Sequence, residues 1–590
     1  MSRLGQFIPR IRTGVAAAFG RFPWMLLCGL SGTIAAIVAT EYDHDGNRNI
    51  EGQCARVIMT VALGMPLFFS LRMLRERSGS LVRWPIEIVG LPLLAAYYFR
   101  LPAYPFDGPG IIGIHWALLF AALHFLAAVA PFVHDSERIG FWHFNRRLFL
   151  RFCLTTLYSA VLTGGLELAL VSADKLFGLH LDKSYGYLFF FMVGCFHPAF
   201  FLAGVPRDFV ALDADPEYPR GLKAFTQFAL APLVAVYTGI LYAYAVKIVL
   251  AWTWPHGWVA LPVLILSGVG IFAALLLHPL RTRPEEKWAV WYYRVFPGAL
   301  APLSVLLLLS VRERILSYGV TEDRYLGIVV GSWILAWALV FTFRKSAGLR
   351  WIPASLAVIC LAAAFGPQSA GAISKASQLR RLEGMLRGRG LLVGGEAQPS
   401  VTHQDLPQKE YDEIESTIRY LITLHGGQTV QGLFGTLLQY TDWKDLSTWQ
   451  TAEEILKKLK LSTSGNIDNS PISYTLDETA GVSLEGFRRV WYVGFIGTNN
   501  FRKFDDVTIR LDDGALLVSV HDEKPVRPVP IDSFLKSLPA RGGGLPPDKL
   551  TVDWNQNGRN FRIVFTSLAV RPNADGQPGI EFDSFLLLER

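Results

Sequence analysis

The sequence predicts a membrane α-helical bundle of about eleven transmembrane helices, followed by a soluble α+β region that ends in a small antiparallel β domain. Three observations carry this expectation. The mean hydropathy is +0.31, with 51% hydrophobic and 18% charged residues, the balance of a membrane protein with a water-soluble part attached. Apolar windows of about 20 residues, the length that crosses a hydrocarbon core, recur as far as Trp351 and beyond. After Gly486 the hydrophobic period changes to two, as strands require.

The apolar windows start near Pro23, Ala55, Trp84, Ile111, Leu148, Tyr185, Phe225, Trp258, Phe296, Tyr325 and Trp351. Arg3, Arg10, Arg12 and Arg21 precede the first, and no small-x-small cleavage pattern ends it, so it predicts a signal anchor. Basic residues concentrate before the first window and after every second one, as in Arg72, Arg75, Arg77 and Arg83, or Arg281, Arg283, Lys287 and Arg294. That bias predicts a cytoplasmic N-terminus and, after eleven crossings, an outside location for the chain beyond about residue 370. One connector breaks the bias: "RERILSYGVTEDRY", Arg312–Tyr325, places Arg312, Arg314 and Arg324 on the face that should be poor in arginine.

The outside half opens with "ISKASQLRRLEGMLRGRG", where Ile373, Leu379, Leu382 and Leu386 recur at helical spacing among arginines. It suits an amphipathic helix at the membrane boundary and, equally, a helix packed on its own domain. Tyr411, Ile414, Ile418, Leu421 and Leu424 form a second stripe, closed by Gly426-Gly427. Shorter helices are predicted around Leu433–Leu438 and Thr451–Leu459, then strands, with hairpin turns at Asp513-Gly514 and Asn557-Gly558. The predicted domains are therefore 1–369, a polytopic bundle; 370–485, a helical neck; and 486–590, the β domain.

Charge and motif content narrow the chemistry. Residues 1–370 carry 31 lysines and arginines against 21 acids, and residues 371–590 carry 25 against 28. The basic excess thus belongs to the membrane half, and no nucleic-acid partner is predicted. The five cysteines include no CxxC pair, so neither a metal nor a cofactor is predicted. "YDHDGNRNIEG" at Tyr42–Gly52 is rich in oxygen ligands but has Arg48 where a calcium loop needs glycine. "GPGIIG" at Gly108–Gly113 follows no strand, so it lacks the context of a phosphate cradle. Ionisable residues inside windows are costly in lipid and mark candidate polar sites: Glu87, His115, His124, Glu167, His197 and Lys247. Of these, His124, Glu167, His197 and Lys247 are the candidate intramembrane polar set, with Lys247 near enough to a window end to snorkel. His197 precedes Pro198, a predicted distortion of its helix.

The run "WYYRVFPGALAPLSVLLLLSVRERILSYGVTEDRYLGIVVGSWIL" resembles a bacterial group of multi-pass membrane proteins catalogued as domain of unknown function 4153. Its core here is Arg314, Ile315, Tyr318, Gly319, Thr321, Glu322, Arg324 and Tyr325. "FTQFALAPLVAVYTGILYAYAVKI", "SKASQLRRL" and "YLITLHGGQT" extend the resemblance over most of residues 20–430. The resemblance implies a bacterial inner-membrane protein and supplies no catalytic residue. Arg314, Tyr318, Gly319, Thr321, Glu322, Arg324 and Tyr325 form the candidate outer-face motif. Glu313, Glu322 and Asp323 are placed to neutralise Arg314 and Arg324 locally, or the arginines grip an anionic lipid headgroup. Three functions follow as expectations: an envelope-associated structural or regulatory protein that presents a periplasmic domain to a protein partner; a transporter or channel with a proton or ion pathway; and an integral-membrane enzyme acting on a lipid-linked or anionic substrate at the outer face. The first is favoured, and activity as an enzyme is not expected.

Overall fold

The fold is that of a computed structural model. The structure describes residues 17–42, 48–77, 86–133, 139–179, 181–213, 218–251, 260–281, 283, 285–344, 348–400, 404–438, 448–463, 472–476, 481–494, 501–504, 507–512, 515–520, 527–529, 531–538, 543–556, 559–572 and 578–589. Residues 43–47 of the oxygen-rich stretch and both hairpin turn dipeptides lie outside them. Two compact units form: Met1–Gln404 with Glu410–Leu461, and Asp405–Lys409 with Ser462–Arg590.

In the first unit, nine helices among the described residues are long and apolar enough to cross a membrane, against about eleven expected. They are α1 (Pro23–Tyr42), α2 (Arg48–Arg77), α4 (Ile111–Phe132), α5 (Ile139–Phe177), α6 (Asp182–Leu202), α7 (Arg220–Ala251), α8 (Ala260–Leu280), α9 (Lys287–Tyr318) and α10 (Glu322–Phe343). The two expected crossings that fall short are α3 (Gly90–Arg100) and α11 (Trp351–Ala364), of 11 and 14 residues. At a rise of about 1.5 Å per residue they cover only ~17 and ~21 Å of helix. Both lie along longer neighbours. Beside α2, Glu87 meets Arg75 at 2.9 Å, a Cβ on Gly64 would lie 3.0 Å from Leu94, and Arg56 donates to the Tyr98 carbonyl at 2.9 Å. Beside α4, Arg350 donates to the Phe132 carbonyl at 2.7 Å, and a Cβ on Gly371 would lie 2.8 Å from Ile111.

Small residues let the helices meet closely, as packing inside lipid requires. A Cβ on Gly29 of α1 would sit 2.0 Å from the carbonyl oxygen of Gly194 in α6, and one on Gly270 of α8 would sit 1.9 Å from the Phe296 ring. Gly194 belongs to a π turn, Met192–Phe196, immediately ahead of His197-Pro198, where the sequence predicts a distortion. Proline has no N–H to close the preceding turn, and the wider turn absorbs the loss. At one end of the bundle Glu76 binds Arg21 and Arg72, and buried Glu87 binds Arg75, so the intramembrane Glu87 is an ion-pair partner.

Four further helices follow in this unit: α12 (Ala370–Gly388), α13 (Gln408–His425), α14 (Gln428–Leu438) and α15 (Thr448–Lys458). Ser369 caps α12, accepting the Ala372 N–H at 3.3 Å. Ser374, Gln378, Leu382 and Leu386 form its buried stripe, so α12 packs on protein, the second of the two alternatives open from sequence. On α13 the buried stripe is Ile414, Thr417, Ile418 and Leu421.

The second unit holds β1 (Ile472–Leu476), β2 (Arg489–Gly494), β3 (Phe501–Phe504), β4 (Val507–Asp512), β5 (Ala515–Val520), β6 (Arg527–Pro528), β7 (Gly543–Leu545), β8 (Thr551–Gln556), β9 (Arg559–Pro572) and β10 (Pro578–Glu589). One sheet runs β6-β5-β4-β3, and the other runs β7-β1-β9-β10-β2 with β8 also on β9. The hairpins close as expected, pairing Asp512 with Ala515 and Gln556 with Arg559. The sheets are not purely antiparallel, because β7 pairs β1 in parallel. The unit also starts earlier than the expected Gly486, since β1 lies inside the larger sheet. Its core gathers Tyr474, Val493, Ile509, Val518, Phe565 and Phe585.

Candidate functional site

The matched motif forms the turn between α9 and α10. Gly319 adopts φ +73° and ends α9, its N–H bonding the Ile315 carbonyl at 2.8 Å. A Cβ there would fall 2.9 Å from Gln378 Nε2, so both backbone and space call for glycine. Gln378 of α12 donates from Nε2 to the carbonyls of Tyr318 (2.9 Å) and Val320 (3.0 Å), and Ser377 Oγ accepts the Val320 N–H at 3.0 Å. Thr321 is extended at the N-cap of α10 and its carbonyl accepts the Tyr325 N–H at 2.8 Å. Tyr325 donates its hydroxyl to the Gln368 carbonyl at 2.6 Å.

Glu322, the first residue of α10, is 1% exposed. The helix amides ahead of it favour a negative charge. Ser374 Oγ donates to its Oε1, and the Tyr420 hydroxyl donates to its Oε2. His425 Nε2 lies 3.1 Å from Oε1. Tyr420 and His425 rings meet edge to face at 5.9 Å. Burial, then the hydrogen bond to Glu322 and its charge, push the Tyr420 phenol pKa up, which keeps the hydroxyl protonated as donor. His115 of α4 is close enough to feel the charges of Glu322, His425 and Arg100, and its Nε2 is buried without a hydrogen-bond partner. Gly110 N–H, in "GPGIIG", donates to the Thr423 carbonyl at 3.0 Å, so that run seats the start of α4 on the end of α13. The site thus draws on α4, α10, α12 and α13.

Arg314 and Arg324 form no ion pair with the neighbouring acids among the described residues, unlike the local neutralisation expected from sequence. Arg324 donates to the carbonyls of Gly319 (2.6 Å) and Tyr318 (3.1 Å), while Glu322 is committed to hydroxyls. Carbonyls at a helix C-terminus carry partial negative charge, which a guanidinium satisfies. Arg312 pairs with Glu313 at 2.7 Å, in the open. Arg324 and Arg381 both stand by the Tyr318 ring, at 5.5 and 5.9 Å from its centre, and Arg381 binds Glu413 at 3.0 Å. Arg314 is exposed.

Among the described residues, no contact joins any two of His124, Glu167, His197 and Lys247. His124 Nδ1 bonds the Phe120 carbonyl of its own helix at 2.8 Å. His197 Nε2 lies 3.1 Å from Thr156 Oγ1. Glu167 is half-buried on α5, and Lys247 is exposed near the end of α7. No group of three or more His, Cys, Asp or Glu among the described residues could hold a metal.

The profile of the family described as Domain of unknown function (DUF4153) matches residues 26–384. The chain belongs to this family. A protein of Pasteurella multocida (strain Pm70), described as uncharacterized, is 29% identical over 279 residues, which are 46% of this chain and 45% of that relative. The match therefore spans less than half of the relative's length. No solved structure matches the chain. The DUF4153 region contains His115, Glu322, Ser374 and Gln378, whereas Tyr420 and His425 lie beyond it. Sequence reasoning assigned no role to Ser374, Gln378, Tyr420 or His425, although the resembling runs "SKASQLRRL" and "YLITLHGGQT" contain all four.

Proposed function

We propose that this DUF4153 protein is a multi-pass anchor of a bacterial inner membrane that presents its soluble helices and β unit on the periplasmic side to an envelope partner. The observation that carries the proposal is the closed Glu322 junction. The most distinctive residues of the motif bind α12 and α13 rather than lining an opening, and Glu322 and Ser374 are 1% and 0% exposed. Such a junction fastens the extramembrane helices to the bundle. Segments 86–104 and 350–371 accompany α2 and α4 from end to end, which supports eleven crossings, with the N-terminus cytoplasmic. In the β unit, β2 is an edge strand with Val490 and Tyr492 exposed, a surface suited to a protein partner. Exposed Arg314, beside Arg324 and Arg381, suits contact with anionic headgroups. The dispersal of His124, Glu167, His197 and Lys247 gives the ion-pathway reading no support.

Reporter fusions test the orientation. Alkaline phosphatase fused after Ser400 should be active, and fusions after Ser78 and Lys345 inactive; activity at Ser78, or none at Ser400, overturns the topology. A photo-cross-linking residue at position 492 in intact cells should trap one envelope protein. Cells that keep the topology but give no product retire the presenting role alone.

A further inference from the structure

Helix α5 carries a polar row through its apolar sequence. Arg151, Thr155, Ser159, Thr163 and Glu167 recur at every fourth residue, which sets them along one ridge of the helix. From Arg151 to Glu167 the row rises ~24 Å, most of a hydrocarbon core about 30 Å thick. Thr155 and Ser159 are 0% and 8% exposed, whereas Leu157 and Val161 are 60% and 67% exposed and face away from protein. The packing partner is α6. Arg151 Nη2 donates to the Phe200 carbonyl at 2.5 Å, and His197 Nε2 lies 3.1 Å from Thr156 Oγ1, so α6 descends as α5 rises. Continued, that register brings the π turn Met192–Phe196, where the helix is widened, to the level of Ser159.

The hydroxyls of this row are used unlike others in the bundle. Thr60, Ser70, Thr226, Ser267 and Ser304 each return theirs to the carbonyl four residues back, at 2.6–2.9 Å. Thr155 Oγ1 and Ser159 Oγ are instead buried without a hydrogen-bond partner among the described residues, as are Arg151 Nε and the Tyr187 hydroxyl of α6. A buried polar group is costly unless something bonds it. Successive groups of the row rise by ~6 Å, the reach of one water making two hydrogen bonds of about 2.8 Å. Water at these steps finds the several polar partners that hold it in a protein interior.

We propose that α5 and α6 hold a file of water sites along this row, with Arg151 at one mouth and Glu167 at the other. The ligand is water rather than an ion, because a guanidinium at one mouth opposes cations and a carboxylate at the other opposes anions. The file does not need His124, His197 and Lys247 to meet. It depends neither on the orientation of the chain nor on its presenting role.

X-ray hydroxyl-radical labelling tests this, since the radicals form from water where it sits and sulfur is readily oxidised. Thr155→Cys, Ser159→Cys and Val161→Cys are each made in the full chain and placed in phosphatidylcholine nanodiscs. Val161 lies close to the depth of Ser159 but on the lipid side. Peptide mass spectrometry reads each position separately, so the five native cysteines stay in place. Oxidation at positions 155 and 159 should exceed that at 161 severalfold. Thr155→Val keeps the shape without the hydroxyl and reads the seam a second way. With water bound at Thr155 this variant loses a hydrogen bond and should melt lower than wild type. In a dry seam the same change removes a costly hydroxyl and leaves the melting temperature unchanged or higher. Oxidation at 155 or 159 no greater than at 161, or a melting temperature not lowered in Thr155→Val, would overturn the proposal.

Discussion

A carboxylate buried like Glu322 costs several kcal/mol unless its oxygens are occupied. Here two hydroxyls and a helix N-terminus occupy them, which gives each partner a measurable share. Tyr420→Phe removes one donor to a buried charge, a loss of about 1–3 kcal/mol, and should lower the melting temperature of the detergent-purified chain. Arg312→Lys, an exposed pair, should leave it unchanged. Tyr420 also gives the site a pH signature. Its phenol holds its proton more tightly folded than unfolded, so its contribution is whole below the ordinary value of 10.0 and is lost as pH rises above it. Wild type should therefore lose stability above pH 10 more steeply than Tyr420→Phe, and parallel alkaline limbs would remove Tyr420 from the junction. Glu322 was visible in the sequence as part of a distinctive motif. Its partners were not, because Ser374 and Tyr420 lie 52 and 98 residues away and no local period links them. Assigning Glu322 to the nearest arginines followed proximity in sequence, whereas the fold gave Arg324 the Tyr318 and Gly319 carbonyls and left Arg314 exposed.

At the scale of elements, apolar windows located the helices but not their ends. A helix continues while its backbone bonds are satisfied, whatever the polarity of its side chains, so α5 runs for 39 residues around a window that starts near Leu148. Close crossings were equally hidden, since a glycine needed for contact reads like any other glycine. The α1–α6 crossing separates the two kinds. Gly29→Ala would drive a methyl to 2.0 Å from a backbone oxygen that cannot rotate away, whereas a Cβ on Gly298 of α9 meets nothing within 4 Å. Gly29→Ala should destabilise the purified chain by at least the ~1–3 kcal/mol typical of overpacking. Gly298→Ala should be neutral or slightly stabilising, since alanine favours helix. Equal melting temperatures for the two variants would mean that α1 and α6 do not meet at Gly29 and Gly194.

For the whole molecule, the change from helical to strand periodicity exposed the division into a helical unit and a β unit but misplaced where the second begins. β1 spans only five residues, too few for an alternation to stand out, and its partners arrive much later in the chain. Its place is nevertheless internal, between β7 and β9, where Leu568 of β9 pairs with Tyr474 and Leu545 of β7 with Leu476. Tyr474 is 3% exposed and belongs to the same core as Phe565 and Phe585. A fragment of residues 462–590 therefore contains the whole larger sheet and its core, and should be soluble, show strand by circular dichroism and unfold in one cooperative transition. A fragment of residues 486–590 lacks β1, leaves an edge of β9 unpaired and deprives β7 of its partner. Open edges template association. The shorter fragment should aggregate or melt without a cooperative transition, and equal cooperativity in the two fragments would return the boundary to Gly486.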